Sequence, residues 1–172
     1  VNIPNALTLF RITLIPLYLW VFFSPFPFHI EIAFGILVLA GITDMLDGYI
    51  ARKYKLITTL GTMLDPLADK LMMLAAISSF YMSERISLWA ALFFFLRDIG
   101  MILFSALFHF RGKKTVPANV FGKVTTVLFY LVFTLVMFRH PYGEETLWVV
   151  ISFSFVTSAI YLTKIRLLNR IG

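Results

Sequence analysis

Six long apolar runs alternate with short polar or proline-bearing breaks, near residues 7–24, 31–52, 62–82, 87–108, 119–138 and 146–166. Each is close to the roughly 20 residues that a helix needs to cross about 30 Å of hydrocarbon. Ser24-Pro25-Phe26-Pro27 parts the first run from the second, Gly112 through Pro117 parts the fourth from the fifth, and His140-Pro141-Tyr142-Gly143 closes the fifth. Proline and glycine interrupt a helical ladder and favour the turn that follows. The pattern predicts an all-α integral membrane protein with six transmembrane helices. The polar opening Asn2-Ile3-Pro4-Asn5-Ala6-Leu7-Thr8 predicts a short N-terminal interfacial helix, in which Asn5 and Thr8 either cap the helix or contact substrate.

Charge orients these runs. Arg52, Lys53 and Lys55 follow the second, Arg111, Lys113 and Lys114 follow the fourth, and Lys164, Arg166 and Arg170 lie in the tail. The opposite connections hold only Arg85 and Arg139. Basic residues favour the cytoplasmic side, so both termini are expected there. With 60% apolar and 14% charged residues in 172, one membrane domain spanning 1–172 is expected rather than a water-soluble core. The basic groups flank apolar runs and form no stripe with interleaved aromatics, which argues against nucleic acid as a partner. Cysteine is absent, which excludes disulfides. No small-residue cleavage site follows the first run, so that run is expected to stay as a span.

Four carboxylates stand where apolar residues are expected. Asp44 and Asp47 lie near the end of the second run, and Asp65 and Asp69 near the start of the third. On a helix, the first pair is separated by about 60° and the second by about 40°, so each pair projects from one face. A short connection makes the two helices antiparallel neighbours, which can bring all four carboxylates to one depth. Buried acids repel one another unless cations neutralise them, and hard oxygen donors suit Mg²⁺ or Mn²⁺, with four enough for two ions. Gly48 and Gly61 remove side chains beside the pairs, so that backbone or nucleotide can approach closely. Arg52 offers a planar fork for a diphosphate. Proton relay or ion transport is a competing use of buried acids, but transport predicts acids spread through the membrane depth, whereas these gather near one face.

The segment DMLDGYIARKYKLITTLGTMLDPLAD, residues 44–69, resembles the signature of the CDP-alcohol phosphatidyltransferase family. Two aspartates three apart are followed by glycine, then an Ala-Arg pair, a glycine after eight intervening residues, and two aspartates four apart. The matching positions are Asp44, Asp47, Gly48, Ala51, Arg52, Gly61, Asp65 and Asp69. The resemblance implies a two-metal site of Asp44, Asp47, Asp65 and Asp69, with Asp69 as base for the acceptor hydroxyl and Asp65 as a second catalytic carboxylate. It also implies a CDP pocket lined by Gly48, Ala51, Arg52 and Gly61. The opening NIPNALTLFR is similar to that of bacterial phosphatidylglycerophosphate synthases, which adds Asn5 and Thr8 to the nucleotide end.

By this resemblance the expected reaction transfers a phosphatidyl group from CDP-diacylglycerol to an alcohol, releasing CMP. Arg97, Arg111, Lys113 and Lys123 supply positive charge for an acceptor phosphate, which favours glycerol 3-phosphate. Arg97-Asp98 is more similar to cardiolipin synthases, which points to phosphatidylglycerol instead; an inositol phosphate is a further alternative. Gly122-Lys123-Val124-Thr125-Thr126 and Phe129 depart from the motif common to both branches at Thr125 and Phe129. The resemblance further implies a homodimer in a bacterial inner or plasma membrane, with the active site facing the cytoplasm.

Overall fold

The computed structural model describes residues 3–54, 59–110 and 120–168. They form six helices, α1 (Ile3–Phe22), α2 (His29–Lys53), α3 (Thr59–Met82), α4 (Leu88–Phe110), α5 (Val120–Met137) and α6 (Gly143–Leu168), and no strand among the described residues. Each predicted apolar run coincides with one helix. The separate interfacial helix is a correction: α1 runs unbroken from Ile3. Pro4 lies in its first turn, where a missing N–H costs nothing, so the polar opening is absorbed into the helix rather than set apart from it. Helix α6 begins at Gly143, three residues before the predicted start, with Glu144 and Glu145 in its first turn, where acids complement the helix dipole.

Among the described residues, His29–Ile50 and Gly143–Thr163 are each long and apolar enough to cross a membrane. Large apolar side chains also stand on the outside of the helices, among them Trp20, Met45, Leu96, Leu131 and Val149. An outer surface of this kind suits hydrocarbon better than water.

The chain divides into two compact units, Val1–Ser83 and Glu84–Gly172. In the first, α1 packs along both α2 and α3, which touch each other less. The buried stripe of α1 reads Thr8, Arg11, Leu14, Tyr18, Val21 and Phe22, and that of α2 reads Ala33, Ile36, Leu37, Ala40, Thr43 and Asp47. Steps of three and four residues keep each stripe on one helical face. In both helices the stripe is apolar toward the α1–α2 turn and polar at the other end. Antiparallel pairing therefore sets the polar end of α1 beside the polar end of α2. Ala33 and Ala40 are fully buried, and small residues allow the close approach that this pairing needs. Two hydrogen bonds fix the register: the Tyr18 and Ser79 hydroxyls meet at 2.8 Å inside the unit, and His29 Nδ1 lies 2.8 Å from the Phe22 carbonyl at the turn.

In the second unit α6 packs on α4 and α5. Phe94, Phe129 and Phe133 form its aromatic centre, with ring centroids 5.0 to 6.0 Å apart, the spacing at which edge and tilted ring contacts are favourable. The connections are clipped together at one end. Arg85 Nη1 donates to the Met137 carbonyl at the end of α5, and the Ser87 N–H donates to Glu144 Oε1 at 2.9 Å. Each bond satisfies a group that a helix end leaves unpaired. The α6 start also lies tight on α5, since a Cβ on Gly143 would stand 3.3 Å from Leu135 and Val136 backbone atoms.

Candidate active site

The polar ends of the α1 and α2 stripes meet in a two-carboxylate, one-guanidinium cluster. Arg11 Nη1 donates to Asp44 Oδ1 at 2.6 Å, and Arg11 Nη2 donates to Asp47 Oδ2. The i, i+3 spacing of the two acids places both on the face of α2 that α1 covers, so one planar fork reaches both. Burial is graded across the cluster: the side chains of Arg11 and Asp47 are 1% and 2% exposed, whereas that of Asp44 is 41% exposed. Asp47 is thus the inner carboxylate and Asp44 the open one. Arg11 Nε is buried without a hydrogen-bond partner. A guanidinium cannot shed its proton in a protein. Its position inside a helix pair is therefore tolerable only because two carboxylates share it.

Around this cluster, Thr8 is fully buried one turn before Arg11, and Thr43 is buried one turn before Asp47 with its hydroxyl donating to the Ala40 carbonyl at 2.8 Å. Gly48 is half-buried beside Asp47, and Asp69 is half-buried on α3 next to buried Ala68. Among the described residues, no three acidic or histidine side chains form a group able to hold a metal ion. The structure therefore brings Asp44 and Asp47 together through Arg11 and assembles no larger ligand set from the described side chains.

The remaining predicted positions divide by location. Asn5, Ala51, Arg52, Gly61, Asp65 and Lys123 stand in helices, but their side chains lie outside the described residues, and Arg111 and Lys113 fall within 111–119, wholly outside them. Arg97 is described and belongs to the second unit, where its Nη1 donates to Asp98 Oδ1 at 2.6 Å while its Nε is buried without a partner. A cavity of about 270 Å³ in that unit is lined by Arg85, Arg139, His140 and Glu144 among others, and by none of the predicted site residues.

Arg11 is the residue that the sequence reading passed over. Its signal lay in the period of the first helix, since positions 8, 11, 14, 18, 21 and 22 repeat at steps that keep one face inward. A permanent charge on such a face requires a partner acid elsewhere in the chain.

A sequence profile of the family described as CDP-alcohol phosphatidyltransferase matches residues 1–160. The chain belongs to the CDP-alcohol phosphatidyltransferase family. It is 33% identical to the CDP-diacylglycerol–glycerol-3-phosphate 3-phosphatidyltransferase of Bacillus subtilis (strain 168), over 95% of this chain and 94% of that one. It is 32% identical to the protein of the same name from Pectobacterium atrosepticum, over 96% of this chain and 95% of that one. A cardiolipin synthase (CMP-forming) of Streptomyces coelicolor is 30% identical, over 83% of this chain and 67% of its own length.

Proposed function

We propose that this protein transfers the phosphatidyl group of CDP-diacylglycerol to glycerol 3-phosphate, releasing CMP and forming phosphatidylglycerophosphate. The observation that carries the reading is the near-complete coverage of both chains in the alignments with relatives named for this reaction. It is joined by two carboxylates of the signature segment converging on one cation. In the proposed step, a hydroxyl oxygen of glycerol 3-phosphate attacks the lipid-linked β-phosphorus. The bond from that phosphorus to the bridging oxygen breaks, and CMP leaves with the electron pair. Asp69 takes the hydroxyl proton, Arg52 and the glycine-bordered segment from Gly48 to Gly61 hold the nucleotide diphosphate, and the charge of Arg97 and Lys123 favours an anionic acceptor. Arg111 and Lys113 add to that positive charge.

The reading includes two divalent ions, Mg²⁺ or Mn²⁺. The oxygen-only donor set fits them, and the Arg11 guanidinium is a cationic stand-in on which Asp44 and Asp47 already converge. Asp65 and Asp69 would complete the ligand set. When bound, the ions neutralise charge on the diphosphate oxygens and the leaving phosphate. Arg11 keeps the Asp44 and Asp47 carboxylates aimed at one point in the absence of an ion.

All six helices are proposed to span the membrane in a homodimer, with both termini and the aspartates at the cytoplasmic side. The support is the excess of Lys and Arg in alternate connections. The chain has no cysteine, so single replacements at Ser83 and Lys113 give clean probes. Membrane-impermeant thiol reagents are expected to label them from opposite sides; labelling of both from one side would contradict six spans.

A second reading, phosphatidylglycerol as acceptor with cardiolipin as product, is favoured by the Streptomyces coelicolor relative and by the Arg97–Asp98 pair. Purified protein given CDP-diacylglycerol, a divalent ion and one acceptor at a time separates the two. Phosphatidylglycerophosphate from glycerol 3-phosphate is expected, with free glycerol poor because it cannot form charge-assisted bonds. Chelation of the ion is expected to stop the reaction. Cardiolipin formed from phosphatidylglycerol alone would replace the first reading with the second.

A further inference from the structure

We propose that Arg11 is a resident counter-cation for Asp44 and Asp47, holding their carboxylates toward one point before a divalent ion binds and competing with that ion for them. The inference rests on the two-metal reading above and adds a residue that the signature segment does not contain. Three observations carry it. The two nitrogens of one fork engage one oxygen of each acid. The guanidinium and the inner acid are almost wholly buried, while the outer acid is open. Arg11 also leaves its Nε buried and unpartnered.

The physical argument runs through charge. Without Arg11, two carboxylates one turn apart on α2 would face each other with no neutralising group on α1, and like charges at that separation disfavour the ionised pair. With Arg11, the cluster of three carries a net charge of −1 rather than −2 and is already ordered. A divalent ion entering between the acids meets a fixed positive group on the same oxygens. It binds by displacing at least one of the two ion pairs, and the open Asp44 is the one that can turn outward. Arg11 thereby weakens ion binding while keeping the inner ligand preoriented. A merely structural Arg11 would contribute stability but would leave ion affinity unchanged or strengthen it through better ordering.

The full chain in nanodiscs, freed of metal by chelation, is titrated with Mn²⁺, and free ion is read by electron paramagnetic resonance. Arg11→Gln is expected to bind Mn²⁺ about tenfold or more tightly than the unsubstituted protein, because one opposing charge beside the site is gone. Arg11→Lys is expected to stay close to the unsubstituted protein, because the charge remains although the fork is lost. In the absence of ions Arg11→Gln should melt at a lower temperature, and its Tm should rise more on saturation with Mn²⁺. Equal or weaker binding by Arg11→Gln overturns the inference and leaves the transferase reading standing. If Arg11→Gln does not fold, the unsubstituted protein decides the matter. In a sample labelled with [¹⁵N]arginine, the Arg11 Nε–H resonance, protected by burial and assigned through Arg11→Lys, should shift with Mg²⁺ at the midpoint of ion binding. A resonance that stays still while the ion binds overturns the inference. Failure of the unsubstituted protein to bind Mn²⁺ even with CDP-diacylglycerol present overturns the two-metal reading and this inference with it.

Discussion

Asp47→Asn is expected to end CMP release and to lower stability by about 3 kcal/mol, while Asp44→Asn ends CMP release with a stability loss of about 1 kcal/mol or less. The two acids share Arg11 as a partner and one proposed catalytic role, but they differ in burial. Asp47 and Arg11 are both closed off from solvent. Neutralising that acid leaves the guanidinium with one carboxylate, and the remaining one is the partly exposed Asp44. Asparagine keeps the volume and one acceptor oxygen but not the charge. The cost is therefore that of uncovering a buried cation rather than of opening a cavity. Asp44 is 41% exposed, so solvent screens its pair and compensates for its loss. In chemistry the two should not differ, because removal of either anionic ligand disrupts the proposed metal site. CMP release measures the catalytic effect, and thermal melting in nanodiscs without divalent ion measures the stability effect. Equal destabilisation by the two variants would contradict the graded burial, and full CMP release by Asp44→Asn would contradict its role as a ligand.

The helices were legible because their apolar runs are long and their breaks carry proline or glycine, signals that need no tertiary information. The start of the first is not legible from polarity, because Asn2, Asn5 and Thr8 suggest an interfacial segment where α1 in fact runs unbroken from Ile3. The inward stripe through Thr8 and Arg11 continues the same face that Leu14 and Tyr18 occupy, and periodicity rather than polarity was the better guide. The pairing of Asp44 with Asp47 was legible from spacing, since three residues along a helix leave two side chains on one face. Their partner was not. Arg11 lies 33 and 36 residues away, and which residue of α1 meets them depends on the length of the α1–α2 turn and on the small residues that set the register.

Arg97 shows a different limit. Side chains at i and i+1 on a helix normally diverge, so spacing alone does not predict an ion pair between Arg97 and Asp98. The structure instead engages Arg97 with its neighbour Asp98. Convergence of the α2 pair with Asp65 and Asp69 depends on the rotation of α3 about its own axis. Spacing fixes the face that each pair shares and leaves that rotation open.

The transfer itself follows the fate of one oxygen atom. If the acceptor hydroxyl attacks the lipid-linked phosphorus directly, its oxygen becomes the new bridge in the lipid product, and the oxygen that leaves with CMP comes from the original diphosphate. Purified protein is therefore given CDP-diacylglycerol, a divalent ion and glycerol 3-phosphate carrying ¹⁸O at its free primary hydroxyl, and both products are weighed by mass spectrometry. The account predicts phosphatidylglycerophosphate that retains the full label and CMP that carries none. Attack on the nucleotide-linked phosphorus would instead give a labelled cytidylyl ester of glycerol 3-phosphate and phosphatidate, and an unlabelled lipid product, or CMP released with no phosphatidylglycerophosphate formed, would contradict direct transfer to this acceptor.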